Sequence, residues 1–161
     1  MSGCALPEVM RDALQRELGL SERMVREGSV VVPRFRVASG CETFVIFAPI
    51  AGTRRGRIRT ARLVKAFMMW KLTQWFVLSS ETAAPGGIVS TLVARHHQVS
   101  VKRAISRNPL QFAEPEWTGA DSIDPDVLSL LPTQCMRMNR RLYDQLMSGF
   151  EGTQVEVAGP F

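Results

Sequence analysis

Apolar and polar residues follow two different periods along this chain, and together they predict ten elements of secondary structure. A helical period is seen in five segments: 7–18, 21–27, 57–74, a short one that starts at Asp124, and 134–148. Short apolar or alternating runs typical of strands are seen in five others: SVVVPRFRVA, TFVIFAPI, WFVLSS, IVSTLVAR and VSVKRAI. The resulting order, α-α-β-β-α-β-β-β-α-α, is neither doubly wound nor all-β. We therefore predict an α+β fold, with helices packed against one mostly antiparallel sheet of about five strands.

Glycine and proline determine the predicted boundaries. Gly19 should end the first helix. Pro33 should place the first strand at an edge of the sheet, because proline has no N–H to give to a neighbouring strand. The proline-containing segments NPLQF and AEPEW are predicted to be irregular. Residues 1–150 are predicted to form a single globular domain, followed by a loosely held tail at 151–161.

The composition is typical of a soluble globular protein, with 45% hydrophobic and 22% charged residues among 161. No apolar run is long enough to span a bilayer, and the charged start does not resemble a secretory signal. We therefore expect a cytoplasmic protein without a membrane partner. Cys4, Cys41 and Cys135 are far apart and form no CxxC pair. Reduced, mostly buried thiols are expected, with no metal site and no cofactor.

The charges are segregated along the chain. Residues 1–42 carry six basic and six acidic side chains, whereas 43–113 carry eleven basic residues and one acid, Glu81. Residues 114–130 then carry five acids and no base. A surface evolved for solubility alone mixes both signs, so this segregation indicates a charged partner.

The stretch AGTRRGRIRT, residues 51–60, combines two glycines and four arginines immediately before and within the longest predicted helix. On a helical wheel, Arg55, Arg59, Arg62 and Lys65 fall within about a third of the circle. An N-terminal helix end also favours anions, through its unpaired N–H groups and its dipole. Two interpretations remain open: an anion-binding surface, or a basic helix face that is simply solvated.

The same stretch, RRGRIRTARLV, resembles the motif of the Gcn5-related acetyltransferases, in which an R/Q-x-x-G-x-G/A turn holds acyl-CoA. The resemblance covers about 20 residues, and Gly56 matches one of the motif glycines. Where the second glycine is needed, the chain has Ile58 or Arg59, whose Cβ atoms block a close approach. The resemblance implies an acyl-CoA-dependent transferase as one alternative function.

The acids of 114–130 also allow two arrangements. They either fold back over the basic stretch, which would shrink its positive field, or lie apart from it and make the protein bipolar. A bipolar surface suits a protein-interaction module, such as an adaptor or an inhibitor.

The function favoured by these patterns is non-enzymatic binding of a polyanion, most plausibly the phosphates of a nucleic acid. An acidic protein is the alternative partner. Basic side chains in two clusters are the expected contacts: Arg54, Arg55, Arg57, Arg59, Arg62 and Lys65, with a possible extension through Lys102, Arg103 and Arg107. No pattern for base readout, such as a helix-turn-helix or zinc finger, is present. No catalytic residue is predicted.

Overall fold

The computed structural model describes residues 6–49, 52–82, 86–95, 97–119, 141, 144–145, 148–149 and 155–159. Within these ranges it has two long helices, α1 (Glu8–Arg26) and α2 (Arg54–Trp70). It also has eight strands: β1 (Arg34–Ser39), β2 (Glu42–Phe47), β3 (Trp75–Thr82), β4 (Gly87–Ala94), β5 (Gln98–Ser106), β6 (Gln111–Phe112), β7 (Glu116–Gly119) and β8 (Glu156–Ala158). The predicted helix from Asp124 and most of the one at 134–148 lie outside the described residues.

All eight strands belong to one antiparallel sheet, whose order is β6-β5-β4-β3-β1-β2-β8 with β7 also paired to β5. The α+β class is therefore confirmed, but the sheet is larger than the predicted five strands. The additional strands are short, at two to four residues each. Such strands depend on pairing with distant neighbours and have little pattern of their own.

The two helices pack on opposite faces of the sheet. Adjacent residues of β3 show this division, because Phe76 lies in the core beneath α2 whereas Val77 lies in the core beneath α1. The α2 core is rich in aromatic side chains, among them Phe35, Phe44 and Phe67. The central strands are thus buried on both sides, and α2 lies with one side against the core and the other toward solvent.

Helix α1 is one continuous helix, and the predicted break at Gly19 is wrong. Buried residues recur on one face of α1 from Ala13 to Val25, on both sides of the glycine. This burial outweighs the roughly 1 kcal/mol that a glycine costs inside a helix. Helix α1 instead ends before Gly28, which has a φ of 74°. There the N–H groups of Gly28 and Ser29 donate to the carbonyls of Val25 and Met24, as in a Schellman motif.

Strand β1 is central, so its predicted position at a sheet edge is also wrong. It pairs with β2 on one side and with β3 on the other. Pro33 stands just before the first residue of the strand, where its missing N–H is not needed. Its carbonyl accepts a hydrogen bond from the N–H of Ala48, at 2.9 Å.

The segments predicted to be irregular contain β6 and the first two residues of β7, and both strands pair with β5. The chain end differs from its prediction in a similar way. Residues 156–158, expected in a loose tail, form β8 beside β2, and the preceding Val155 is buried in the core beneath α2. Cys41 is exposed in the turn between β1 and β2, rather than buried. None of the described helices is both long and apolar enough to cross a membrane.

Helix α2 ends in the same hydrogen-bond pattern as α1, with Leu72 in place of the glycine. The N–H groups of Leu72 and Thr73 donate to the carbonyls of Met69 and Met68, and Leu72 has a φ of 52°. A side chain in this left-handed conformation costs roughly 1–2 kcal/mol. The Leu72 side chain is 49% exposed, so little packing compensates.

Replacing Leu72 by glycine is therefore expected to raise the free energy of unfolding by about 0.5–1 kcal/mol, after subtraction of the extra entropy of an unfolded glycine. Chemical denaturation of the two proteins measures this difference. The reciprocal change, Gly28→Leu at the end of α1, should destabilise the protein. A Leu72→Gly variant less stable than the parent would contradict the assignment of strain.

Candidate anion-binding site

Helix α2 starts three residues earlier than the sequence pattern predicts, at Arg54 instead of 57. Thr53 is the reason: it is extended, and its hydroxyl accepts a hydrogen bond of 3.1 Å from the N–H of Gly56. Threonine is a favoured N-cap residue, so this signal was present in the sequence. The early start turns the arginine stretch into the first two turns of a helix. Gly56, which carries the acetyltransferase resemblance, is thus a helical residue.

Four arginines of α2 line one cleft, whose volume is about 1100 Å³. Three of them, Arg55, Arg59 and Arg62, are spaced four and three residues apart, which places them in a row on one face of the helix. Arg54 joins them from the first turn. All four side chains are exposed. The apolar side chains of Ile58, Leu63 and Ala66 line the cleft between the charges.

The other described wall of the cleft comes from the C-terminal region, where Gln145 faces α2. Gly149 lies in the same helical region and packs against Leu63. A Cβ atom at Gly149 would lie 2.6 Å from Leu63 Cδ2, so a larger residue there would displace the Leu63 side chain. The cleft is thus bordered by two parts of the chain about 90 residues apart.

The charges in the cleft are unbalanced. No acidic side chain is among the described residues that line it, and none occurs within α2. Arginines near a helix N-terminus are repelled by the positive end of the helix dipole, unless an anion is bound there. The arrangement therefore concentrates positive charge that a bound anion would neutralise.

Two other predicted site residues of α2 do not line this cleft. Arg57 points to the opposite side of the helix and lines a smaller cavity of about 290 Å³ between α2 and the sheet, together with Phe35 and Leu78. Lys65 is exposed on α2, but outside the cleft lining.

The second predicted cluster, on and after β5, is separated from the α2 arginines. Lys102 and Arg103 are neighbours on a strand and so face opposite sides of the sheet. Arg103 lies on the α1 side, where Nη1 is 2.5 Å from Glu22 Oε1 and Nε donates to the carbonyl of Ala113. Lys102 lies directly opposite Glu116 of β7 in the strand register. Arg107 is exposed in the turn after β5.

Two of the five acids of 114–130 lie among the described residues. Glu114 and Glu116 are exposed at the β7 side of the sheet. Strands β5, β4 and β3 separate β7 from β1. Asp121, Asp124 and Asp126 lie outside the described residues.

The sequence patterns gave no indication of a buried charge cluster between α1 and β1. The Glu17 carboxylate accepts hydrogen bonds from Nε of both Arg34 and Arg36, and its side chain is fully buried. The Arg34 guanidinium also donates to the Ser21 hydroxyl, at 2.9 Å. The position of Glu17 and Ser21 on the otherwise apolar face of α1 is the feature that could have indicated the cluster. This cluster is enclosed by protein, so these two arginines add nothing to the cleft.

No group of three or more histidine, cysteine or acidic side chains able to hold a metal ion occurs in the described part of the chain. No family model, curated protein or solved structure matches this protein.

Proposed function

We propose that the cleft along α2 binds the phosphate groups of a nucleic acid. The observation that carries the proposal is the row of exposed arginines, which line one cleft without an acid among its described residues. Each guanidinium has a planar fork of donors that matches two phosphate oxygens. Arginine therefore binds phosphate with a defined geometry, which a positive charge without such a fork of donors does not provide.

The spacing of the arginines also favours a chain of phosphates, rather than a single anion, as the ligand. A helix rises about 1.5 Å per residue, so the backbone positions of Arg55 and Arg62 are about 10 Å apart along the axis. A nucleic-acid strand carries a charge about every 3.4 Å along the duplex axis. The row therefore spans several phosphates, and Ile58 and Leu63 can contact the sugars or bases between them.

Contacts of this kind give affinity without much choice of sequence, because phosphates are the same at every base pair. Arg57 and the β5 cluster are expected to contribute less than the four cleft arginines, given their positions. The proposed activity is thus binding, with specificity for nucleic-acid shape more than for base sequence.

A salt series with fluorescent single- and double-stranded DNA and RNA tests the proposal. Four phosphate contacts predict that log K falls against log salt with a slope of about −3.6 for duplex DNA and about −2.8 for a single strand. A slope near zero, or no binding at low salt, would contradict it. Heat on titration with acetyl-CoA, in the absence of nucleic-acid binding, would support the acetyltransferase alternative.

A second candidate function is a protein-interaction module, favoured by the composition of β7. Glu116 is exposed there next to Trp117, which is 44% exposed although tryptophan is usually buried. An exposed aromatic residue at a sheet edge suits a protein interface, and the adjacent carboxylate could add charge complementarity to a partner. A stable complex that Trp117→Ala disrupts, formed without any retention on DNA, would favour this candidate.

A further inference from the structure

A second pocket, independent of the arginine cleft, lies at the opposite end of α2. Its volume is about 290 Å³, at the small end of the range for ligand sites. Three aromatic side chains line it, those of Phe44, Phe67 and Trp70. The other described residues that line it are Val155, Val157, Gly159 and one charged residue, Lys71.

The Lys71 ammonium is held between two aromatic rings. Its nitrogen lies 4.0 Å from the centre of the Trp70 ring and 4.5 Å from that of Phe44. Cation–π attraction at these distances positions the charge without neutralising it. The ammonium has no hydrogen-bond acceptor and no carboxylate among the described residues. In this respect it differs from Arg103, which contacts an aromatic ring and also pairs with Glu22.

The surrounding backbone fixes the position of this lysine. Lys71 is the C-cap of α2, and its own carbonyl accepts a hydrogen bond from the Ser39 hydroxyl of β1. On the opposite side, Gly159 lies so close to β2 that a Cβ atom there would be 2.9 Å from the Thr43 carbonyl oxygen. The pocket is thus bordered by α2, β2 and the β8 region.

We propose that this pocket binds a small monocarboxylate with an apolar body. The apolar body would pack against Phe44, Phe67 and Val157, and the carboxylate would accept hydrogen bonds from the Lys71 ammonium. A charge-assisted hydrogen bond in a partly enclosed site is among the stronger polar contacts in proteins. Neutral apolar molecules would fill the same space without that contact, so the charge should decide the selectivity.

Titration with octanoate and with its uncharged counterpart octanol tests the proposal. The readout is the indole N–H signal of Trp70 in ¹H–¹⁵N NMR spectra, which the Trp70→Phe variant assigns among the three tryptophans. Octanoate is expected to shift this signal and to bind about tenfold more tightly than octanol, the difference that one charge-assisted hydrogen bond provides. The indole signal of Trp117 on β7 should not move.

Two variants separate the contribution of charge from that of shape. Lys71→Met keeps an unbranched apolar side chain but removes the ammonium, so it should bring the octanoate-to-octanol ratio close to one. Val157→Trp should fill the pocket and weaken both ligands; Val157 is 39% exposed, so the larger side chain can be accommodated. Arg16→Met, an exposed position on α1, is the matched control and should leave both affinities unchanged. Equal binding of the two ligands to the parent protein, or an unchanged ratio in Lys71→Met, would overturn the proposal.

Discussion

Replacing Glu17 by alanine is expected to lower the free energy of unfolding by about 3–5 kcal/mol, because it leaves two arginines inside the protein without their counter-charge. The Arg34 side chain is only 4% exposed and that of Arg36 only 14%. Arg34 would keep its bonds to the Ser21 hydroxyl and to the backbone carbonyl of residue 17. Neither acceptor carries a negative charge. A typical domain is stable by about 5–15 kcal/mol, so this single change should remove a substantial part of the stability.

Glu22→Ala provides a matched control, since it removes the same residue type from the same helix. Glu22 also pairs with an arginine, Arg103, but the two side chains are 18% and 20% exposed. This pair keeps more contact with solvent than the Glu17 cluster, so its loss should cost less than the loss of Glu17. Urea denaturation of both variants measures the difference. Equal losses for Glu17→Ala and Glu22→Ala would show that burial of the first pair has no special effect.

A compensated variant tests the cause more directly. In Glu17→Leu combined with Arg34→Met and Arg36→Met, all three charges are replaced by apolar side chains. Buried ion pairs replaced in this way are often neutral or even stabilising. The triple variant should therefore recover most of the stability lost in Glu17→Ala. If it does not, the cluster contributes through its specific hydrogen bonds, and not through the balance of charge.

The elements predicted correctly from the sequence are those whose pattern is local. Strands β1, β2, β4 and β5 each overlap a run of residues that the sequence pattern predicts as a strand. The apolar side of α2 follows from the spacing of Val64, Phe67 and Met68, all of which are buried. Periodicity within one element was enough in these cases, because each pattern lies within a single helix or strand.

Elements that depend on distant partners were missed. Strand β8 is three residues long and exists through its pairing with β2, more than 100 residues earlier. The continuity of α1 through Gly19 depends on the sheet beneath it, which no local rule takes into account. The cleft was missed for the same reason, since Gln145 and Gly149 reach α2 only in the folded chain. The charge of the site was therefore predictable, and the helical wheel already set Arg57 apart from the row, but the second wall of the cleft was not predictable.

Reversing the charge of Arg55, Arg59 and Arg62 together, each to glutamate, is expected to weaken nucleic-acid binding by about a thousandfold or more. Hydrogen bonds to charged groups contribute about 1.5–3 kcal/mol each, and a thousandfold change corresponds to about 4 kcal/mol. All three side chains are exposed, so the fold should be retained. Fluorescence anisotropy with a labelled oligonucleotide measures the loss, and thermal unfolding checks the fold.

Replacing the same three arginines by alanine separates the loss of phosphate contacts from the repulsion that the glutamates add. Removing three of four phosphate contacts should reduce the slope of log K against log salt, for duplex DNA, from about −3.6 to about −0.9. The slope counts contacts, whereas the affinity also includes the repulsion that glutamates add. A variant with weakened binding but an unchanged slope would place the phosphate contacts elsewhere on the protein.

A control of equal net charge decides whether the cleft itself is responsible. Arg11, Arg16 and Arg23 are exposed arginines of α1, on the other face of the sheet. Their reversal to glutamate also changes the net charge by −6, from +5 to −1. If binding depends on the row of arginines along α2, this variant keeps most of its affinity and the full salt slope. If both triple variants lose binding equally, the overall charge attracts the nucleic acid and the cleft is not its site.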